Sequence, residues 1–421
     1  MRSVRTQRAL VGLVTLAAAF VAPGRAHACR SVQGSEAGLA IRVGKLLTMD
    51  DADRVFDPGM ILVEAGRITY VGEPIEVPDS FRRIDEPRLW AFPGLVDLHT
   101  HIHATGWFDL NDMVVPLSQD LRATPAFEPH EPRLAYALAA GVTSLFGIPG
   151  SGTSIGGFGL FYKSKSSGTF EDVVFKDPGG MKSAFNFNPQ RSRDLGASWA
   201  GLTWNVQHLC DALVARADLD STGNHADPAD WETENLERVL AGDLPVLVHC
   251  ASAEGVAGVV RMWRLRYDTA AVVSHGSWDG HLAAAFCAAT DTPVNHGPRV
   301  LNFTSMRREG RVQGGAEAFL AAGVPNFSLN TDSPIVPEEE LFLQGSMSAR
   351  LGADAYAMLQ ALTSHPADSF LVGDRIGSLE VGKDADIVLS TGDPLDPRSR
   401  VEFVFIDGEV QYSARDDGQL F

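Results

Sequence analysis

Cysteine is scarce. Cys29, Cys210, Cys250 and Cys287 are the only four in 421 residues. They are scattered, and no pair has C-x-x-C spacing, which excludes a disulfide framework. Basic residues are also short: 35 Lys and Arg stand against 53 Asp and Glu, a net charge of −18. So acidic a surface repels phosphate backbones and argues against general nucleic-acid binding. No G-x-x-x-x-G-K-[ST] run is present, so Gly156-Gly157 is not a phosphate loop. Beyond the first 28 residues no long apolar run occurs, so no integral membrane segment is expected after that point. Hydrophobic residues at 45% and charged residues at 21% are ordinary for folded chains, which disfavours disorder and fibrous classes.

The first 28 residues differ from the rest. Arg2, Arg5 and Arg8 precede a 14-residue apolar run, Ala9 to Ala22. Pro23-Gly24 breaks that run, and Ala26-His27-Ala28 follows with small-x-small spacing. This is the pattern of an export signal, too short to span a bilayer as a stable helix. Its removal leaves 31 basic and 53 acidic residues, a net charge of −22. The expected location is periplasmic or secreted. Cys29, directly after the cleavage site, raises lipidation as an alternative.

Strand-like runs at residues 39–72 and again after 384, with Asp407-Gly408 as a tight turn, flank a long middle. The ends predict one small β domain assembled from 38–92 and 377–415. In the middle, 93–376, helical and strand patterns alternate. Strands are expected at 94–99, 142–148, 244–249, 270–275, 292–297 and 324–332, with helices between them. That alternation predicts parallel βα units. Their number and length fit a (β/α)8 barrel, so the fold class is α/β, a TIM barrel carrying a small β-sandwich. The Gly-, Ser- and Asn-rich stretch 149–227 is where strands are hardest to place.

His99 and His101 end the first of these strands at i and i+2, a spacing that points both side chains to one face. His249, His275 and Asp332 each end a later strand. The gap from His249 to His275 is 26 residues, about one βα unit, and that from His275 to Asp332 is 57, about two. Strand ends of a barrel converge on one mouth, so five such residues would meet there. Imidazoles with a carboxylate are ligands for zinc or a similar divalent ion. Such an ion lowers the pKa of bound water from 15.7 toward ~7 and polarises a carbonyl. Asp332 is of a type to take the proton of that water and pass it to a leaving nitrogen.

These segments resemble the amidohydrolase superfamily, nearest its imidazolonepropionase-related branch. PGLVDLHTHIH at 93–103 resembles the first-strand motif of that family. VLVHC, VVSHG and SLNTDSP resemble its fifth-, sixth- and eighth-strand motifs, and IGSLEVGKDADIVLSTGDPL at 376–395 its return to the small β domain. Residues 154–189 are similar to a little-characterised subgroup. The resemblance implies a metal-dependent hydrolase of C–N bonds. His99, His101 and Asp332 would hold one ion, and His249 and His275 a second. His275 would alternatively polarise the carbonyl, and a one-ion site from His99, His101, His249 and Asp332 is the fallback. A bridging carbamylated lysine (carboxylysine) is common in the family. Lys176, ending DVVFK, is the candidate, with Lys182 and Lys163 as rivals.

The remaining residues weigh as follows. His296 and Arg299, after the seventh strand, and Tyr162 with Phe161, in a Gly-rich insertion that can cover the mouth, are substrate-binding candidates. Each has a packing or ion-pair alternative. His103 is expected just beyond the ligand pair or exposed. Cys250 points away from His249 and reads as a core thiol. Ala251, Ser274 and Ser333 stand where relatives in this branch often carry His, Glu and His, which signals an altered substrate pocket. His208, His225 and His281 read as surface or helix residues. Expected partners are a small-molecule substrate and further copies of the same chain, as a homo-oligomer. The reaction reads as hydrolysis of a cyclic amide, a peptide-like bond or an acylated amino acid. Ester or lactone hydrolysis, and non-catalytic binding on the same fold, are the alternatives.

The export reading has a direct check. Protein recovered from the periplasm or medium should begin at Cys29 by N-terminal sequencing; an intact Met1 terminus there would refute it.

Overall fold

The strand that carries the first two histidines is buried along its whole length, Leu95–Thr100, as a barrel strand covered on both faces must be. It belongs to an eight-stranded sheet that curls into a barrel. The computed structural model describes residues 38–103, 111–112, 114–190, 198–221, 231–299, 307–308, 311–312 and 314–421. The signal-like segment with Cys29, and His225, lie outside the described residues.

The terminal segments supply β1 (Gly38–Leu47), β2 (Val55–Phe56), β3 (Gly59–Glu64), β4 (Arg67–Gly72) and β5 (Phe81–Pro93). The barrel strands are β6 (Leu95–Thr100), β7 (Val142–Gly147), β8 (Ile155–Lys163), β9 (Val174–Ala184), β10 (Val246–Cys250), β11 (Ala271–His275) and β12 (Val294–His296). A two-stranded ribbon, β13 (Arg307–Arg308) with β14 (Arg311–Val312), precedes the last barrel strand, β15 (Ser328–Leu329). The chain then returns to the small domain as β16 (Ile387–Ser390), β17 (Val401–Ile406) and β18 (Glu409–Ser413). The small-domain sheet runs β18-β17-β16-β5-β1-β3-β4, so both ends of the chain build it. Ile41, Ile61, Ile387, Leu389 and Phe405 share one buried cluster across that sheet.

Val96, Phe146, Phe161, Leu247 and Val272, from five barrel strands, form a second cluster with Phe370. Side chains of such distant strands meet only through the barrel interior, so this cluster is its apolar floor. A larger layer lies between strands and helices, with Trp263, Phe319 and Phe327 fully buried in it.

One barrel strand departs from the expected all-parallel pattern. β8 runs antiparallel to both β7 and β9. The third βα unit is replaced by a three-stranded meander, for which GIPGSGTSIG supplies the first turn. Because β8 is reversed, its first residue lies at the mouth and Lys163 at the opposite end, paired with Ser144.

Lys163 there joins barrel to small domain. It is buried and pairs with Asp384 at 3.1 Å and with Asp386. Burial alone would lower its pKa; the charges of Asp386, Asp384 and Asp407 outweigh that and raise it. Arg375 adds a contact to Asp384 at 3.0 Å. Lys163 is therefore a structural cation. Lys163→Met should cost about 3–5 kcal/mol, because it leaves the Asp386 carboxylate buried without its cation, while Arg375 still serves Asp384. A urea melt of the variant checks this, and an unchanged midpoint would contradict it.

Candidate metal centre

A register slip between Asp97 and Thr100 on β6 marks the approach to the site. Such a bulge re-aims the side chains beyond it. Within it and just past it, the Nε2 atoms of His99 and His101 lie 3.2 and 3.3 Å from Asp332 Oδ1. His275 Nε2 is 3.9 Å from Asp332 Oδ2. The His99 and His275 rings are 4.4 Å apart, and His249 stands edge-on to His275 at 4.5 Å. The structure thus brings all five strand-end residues together, with His99, His101 and Asp332 the tightest group.

The second ring nitrogens fix the tautomers. His101 Nδ1 donates to the Ile148 carbonyl at 3.0 Å, and His275 Nδ1 to that of Gly297 at 2.7 Å. A carbonyl only accepts, so Nδ1 carries the hydrogen and Nε2 presents its lone pair. His99 Nδ1 meets Ser274 Oγ at 2.6 Å. The Nε2 atoms of His99 and His275 are buried with no hydrogen-bond partner, which costs ~1–3 kcal/mol apiece without a ligand. Burial, then the charges of neighbouring His275 and Lys182, holds His99 and His249 well below the usual imidazole range. Neutral imidazoles are the ligating form. Two backbones are strained: His275 and Asp332 have φ of 82° and 51°, a cost typical of functional positions. The donor set therefore fits a divalent ion such as zinc.

The lysine expectation is corrected. Lys176 was expected to end the fourth strand. That strand runs instead from Val174 to Ala184, so Lys176 stands at its start. Its Nζ donates to the carbonyls of Phe370 and Leu371, at the floor of the barrel. Lys163, opposite Ser144, is at the same end. Lys182 lies near the carboxyl end of β9, fully buried, with Nζ donating to Ser151 Oγ at 2.7 Å. Its charge depresses His99, His249 and His275. Of the three lysines, Lys182 is the one beside the imidazoles.

Tyr162 does not lie in a cover over the mouth. It is fully buried near the far end of β8, paired with Val174, and its ring packs on Phe127 at 4.9 Å. His296 is buried between Phe319 and Phe327, and its Nδ1 donates to the His275 carbonyl at 2.9 Å. It braces His275. Burial pushes it down to about 4. Arg299 is half-buried, with its backbone N–H donating to Gln344 Oε1 at 2.8 Å. His103 is fully buried rather than exposed, pushed down to about 3 by burial and the nearby His101 and Arg133 charges. Gly147 lets it in: a Cβ there would lie 2.7 Å from His103 Cβ. Cys250 is a buried thiol, pushed up by burial. His208 is exposed and stacks on Trp204.

Two residues escaped the sequence reading. Asp97 accepts from the backbone N–H of His99 at 2.8 Å, and from the N–H and hydroxyl of Thr331 at 2.9 and 2.7 Å. Glu338 accepts from the Thr100 hydroxyl at 2.7 Å. A charged residue inside the apolar run GLVDLH was the signal for Asp97. Glu338 opens a run of three glutamates, which reads as solvated surface, yet it is 1% exposed. An apolar cavity of about 440 Å³ is lined by Leu95, Phe342, Leu359 and Phe421. It touches the opposite end of β6 from His99 and contains no ligating side chain.

Residues 292–413 match the amidohydrolase family. The chain is 26% identical over 405 residues to the amidohydrolase tasK of Hapsidospora irregularis, covering 84% of this chain and 40% of that one. It is 24% identical over 402 residues to the imidazolonepropionase of Micrococcus luteus, covering 82% and 90%. Among solved structures it resembles an amidohydrolase from Thermotoga maritima MSB8, with 29% identity and a TM-score of 0.80. That match covers 89% of this chain and all of the other.

The two lysine positions predict different metal contents. Elemental analysis of protein prepared with bicarbonate and zinc should find about two ions per chain for wild type and for Lys176→Ala. Lys182→Ala should hold one or none. Full occupancy in Lys182→Ala would exclude it as a bridge.

Proposed function

We propose that this chain, similar to the amidohydrolase superfamily on its imidazolonepropionase-related side, is an exported, metal-dependent hydrolase of C–N bonds acting on an amide in a small substrate. One observation carries the metal dependence. Three imidazole Nε2 atoms converge on the Asp332 carboxylate, and two of them are buried without a partner. His99, His101 and Asp332 would hold one ion, and His249 and His275 a second. When bound, a divalent ion supplies a Lewis acid for the carbonyl and makes water acidic enough to attack near neutral pH.

The chain's own groups do the rest. Asp332 has a carboxylate at the centre of the imidazoles and takes the proton of the attacking water. It then delivers that proton to the leaving nitrogen, the part of amide cleavage that water alone does poorly. The left-handed backbone at Asp332 and at His275 aims both side chains into the mouth rather than along the strands. Lys182 is the bridging candidate. As a neutral amine it could add CO₂ and lose a proton, and the anionic carbamate so formed would supply a further oxygen donor for a cation. The acceptable substrate is an acylated amino acid, a dipeptide-like molecule or a cyclic amide.

Turnover of such a panel, followed by release of free amine, tests the proposal. Wild type should cleave at least one member, and Asp332→Asn should lower kcat by roughly 10²–10⁴-fold, the usual share of a general base. Zinc-loaded wild type that cleaves none would overturn the amide assignment. A fully active Asp332→Asn would remove Asp332 as the base.

A further inference from the structure

The ligands of this centre sit on two sides of one seam. His99 and His101 belong to β6, the first barrel strand, and Asp332 follows β15, the last. β15 is two residues long and pairs with β12. At the mouth, among the described residues, the backbone joins the two sides by one bond, His101 N–H to the Ser333 carbonyl at 2.8 Å, within the Thr100–Ser333 bridge. Two buried carboxyl groups supply the other ties described here. Asp97 holds the backbone N–H of His99 and both the N–H and hydroxyl of Thr331. Glu338 holds the Thr100 hydroxyl at 2.7 Å and lies 3.5 Å from that of Thr331. All four side chains are 0–1% exposed.

Counting hydrogens separates the two acids. Asp97 receives three donors. The single Thr331 hydroxyl hydrogen goes to the nearer acceptor, Asp97 at 2.7 Å rather than Glu338 at 3.5 Å. Glu338 is left with one donor, and its Oε1 is buried without a partner at hydrogen-bond geometry. A buried carboxylate with one donor beside a second carboxylate is costly. Burial first, and the Asp97 charge second, hold Glu338 well above the carboxylate range. Its Oε2 is the atom that accepts from Thr100 and faces the Thr331 hydroxyl across the seam.

We propose that Glu338 is a positioning residue of the metal centre: it ties Thr100, between the two β6 histidines, to the Asp97–Thr331 pair beside Asp332, and so fixes the spacing of ligands across the barrel seam. It touches neither ion nor substrate. The inference rests on the metal-centre reading above. Loss of such outer partners typically costs 10–100-fold in metal affinity.

Zinc affinity, read by competition with a chromophoric chelator on the mature, metal-stripped protein, is the test, with circular dichroism on each sample. Glu338→Ala should bind zinc 10–100-fold more weakly, with kcat falling and KM little changed. Glu338→Gln should bind close to the wild-type affinity, because its amide oxygen still accepts from Thr100. Should Glu338→Ala fail to fold, Thr100→Val removes the same tie alone and should weaken zinc likewise. Wild type that binds no zinc overturns the metal-centre reading. Wild type that binds zinc, with Glu338→Ala or a folded Thr100→Val equal to it, overturns this inference alone. A Gln variant as weak as Ala overturns the hydrogen-bond account.

Discussion

Closing an eight-stranded barrel requires the last strand to meet the first, and here that junction has almost no backbone ladder. β15 offers two residues. The seam is held instead by hydrogen bonds from Thr331, His99 and Thr100 to the buried carboxyl groups of Asp97 and Glu338. Each of those polar groups would cost ~1–3 kcal/mol if left unpaired in the interior. The same seam separates His99 and His101 from Asp332. Completing the fold and assembling the ligand set are therefore one structural event. A barrel that failed to close would lose the carboxylate that faces the imidazoles.

The reversed strand β8 follows its own logic. It lets β7, β8 and β9 pair as a meander without intervening crossover helices. It also sends the turn after Gly147 over the mouth, where Ser151 receives Lys182 and the Ile148 carbonyl orients His101. A parallel third strand would have placed both groups differently. Reversal likewise sends Lys163 to the floor, where it neutralises Asp384 and Asp386 and fastens the small domain. One topological change thus orients a ligand, seats a lysine beside it and locks two parts of the chain.

Much of this was legible in the sequence, for identifiable reasons. Strand ends with a polar residue after an apolar run are readable, because a buried strand has few excuses for His or Asp. His99, His249, His275 and Asp332 followed from that, and their convergence followed from the barrel rule that all strand ends share a mouth. The lysine did not follow. Choosing Lys176 required the end of the fourth strand, and the run EDVVFKDPGGMKSAF has two glycines and a proline that hide a continuous strand. Pairing with β8, a non-local fact, carries the strand through them to Ala184. Tyr162 failed for the same reason: a Gly-rich run reads as a surface loop, yet its glycines admit Phe146, Ile148 and Leu121 at close quarters inside a sheet. Glu338 was hidden by its neighbours, since three successive glutamates look like solvated surface.

The electrostatics of the centre place a condition on Lys182. An ammonium group buried beside three imidazoles depresses their protonation, which keeps their lone pairs free. The same ammonium repels any cation those lone pairs would hold, and in a buried site that repulsion is poorly screened. Both effects cannot persist in a loaded centre. The lysine must lose its proton, turn away or take on negative charge when a cation enters. It is fully buried with its Nζ on Ser151, which leaves little room for turning. Loss of the proton, with or without capture of CO₂, is the response compatible with the packing.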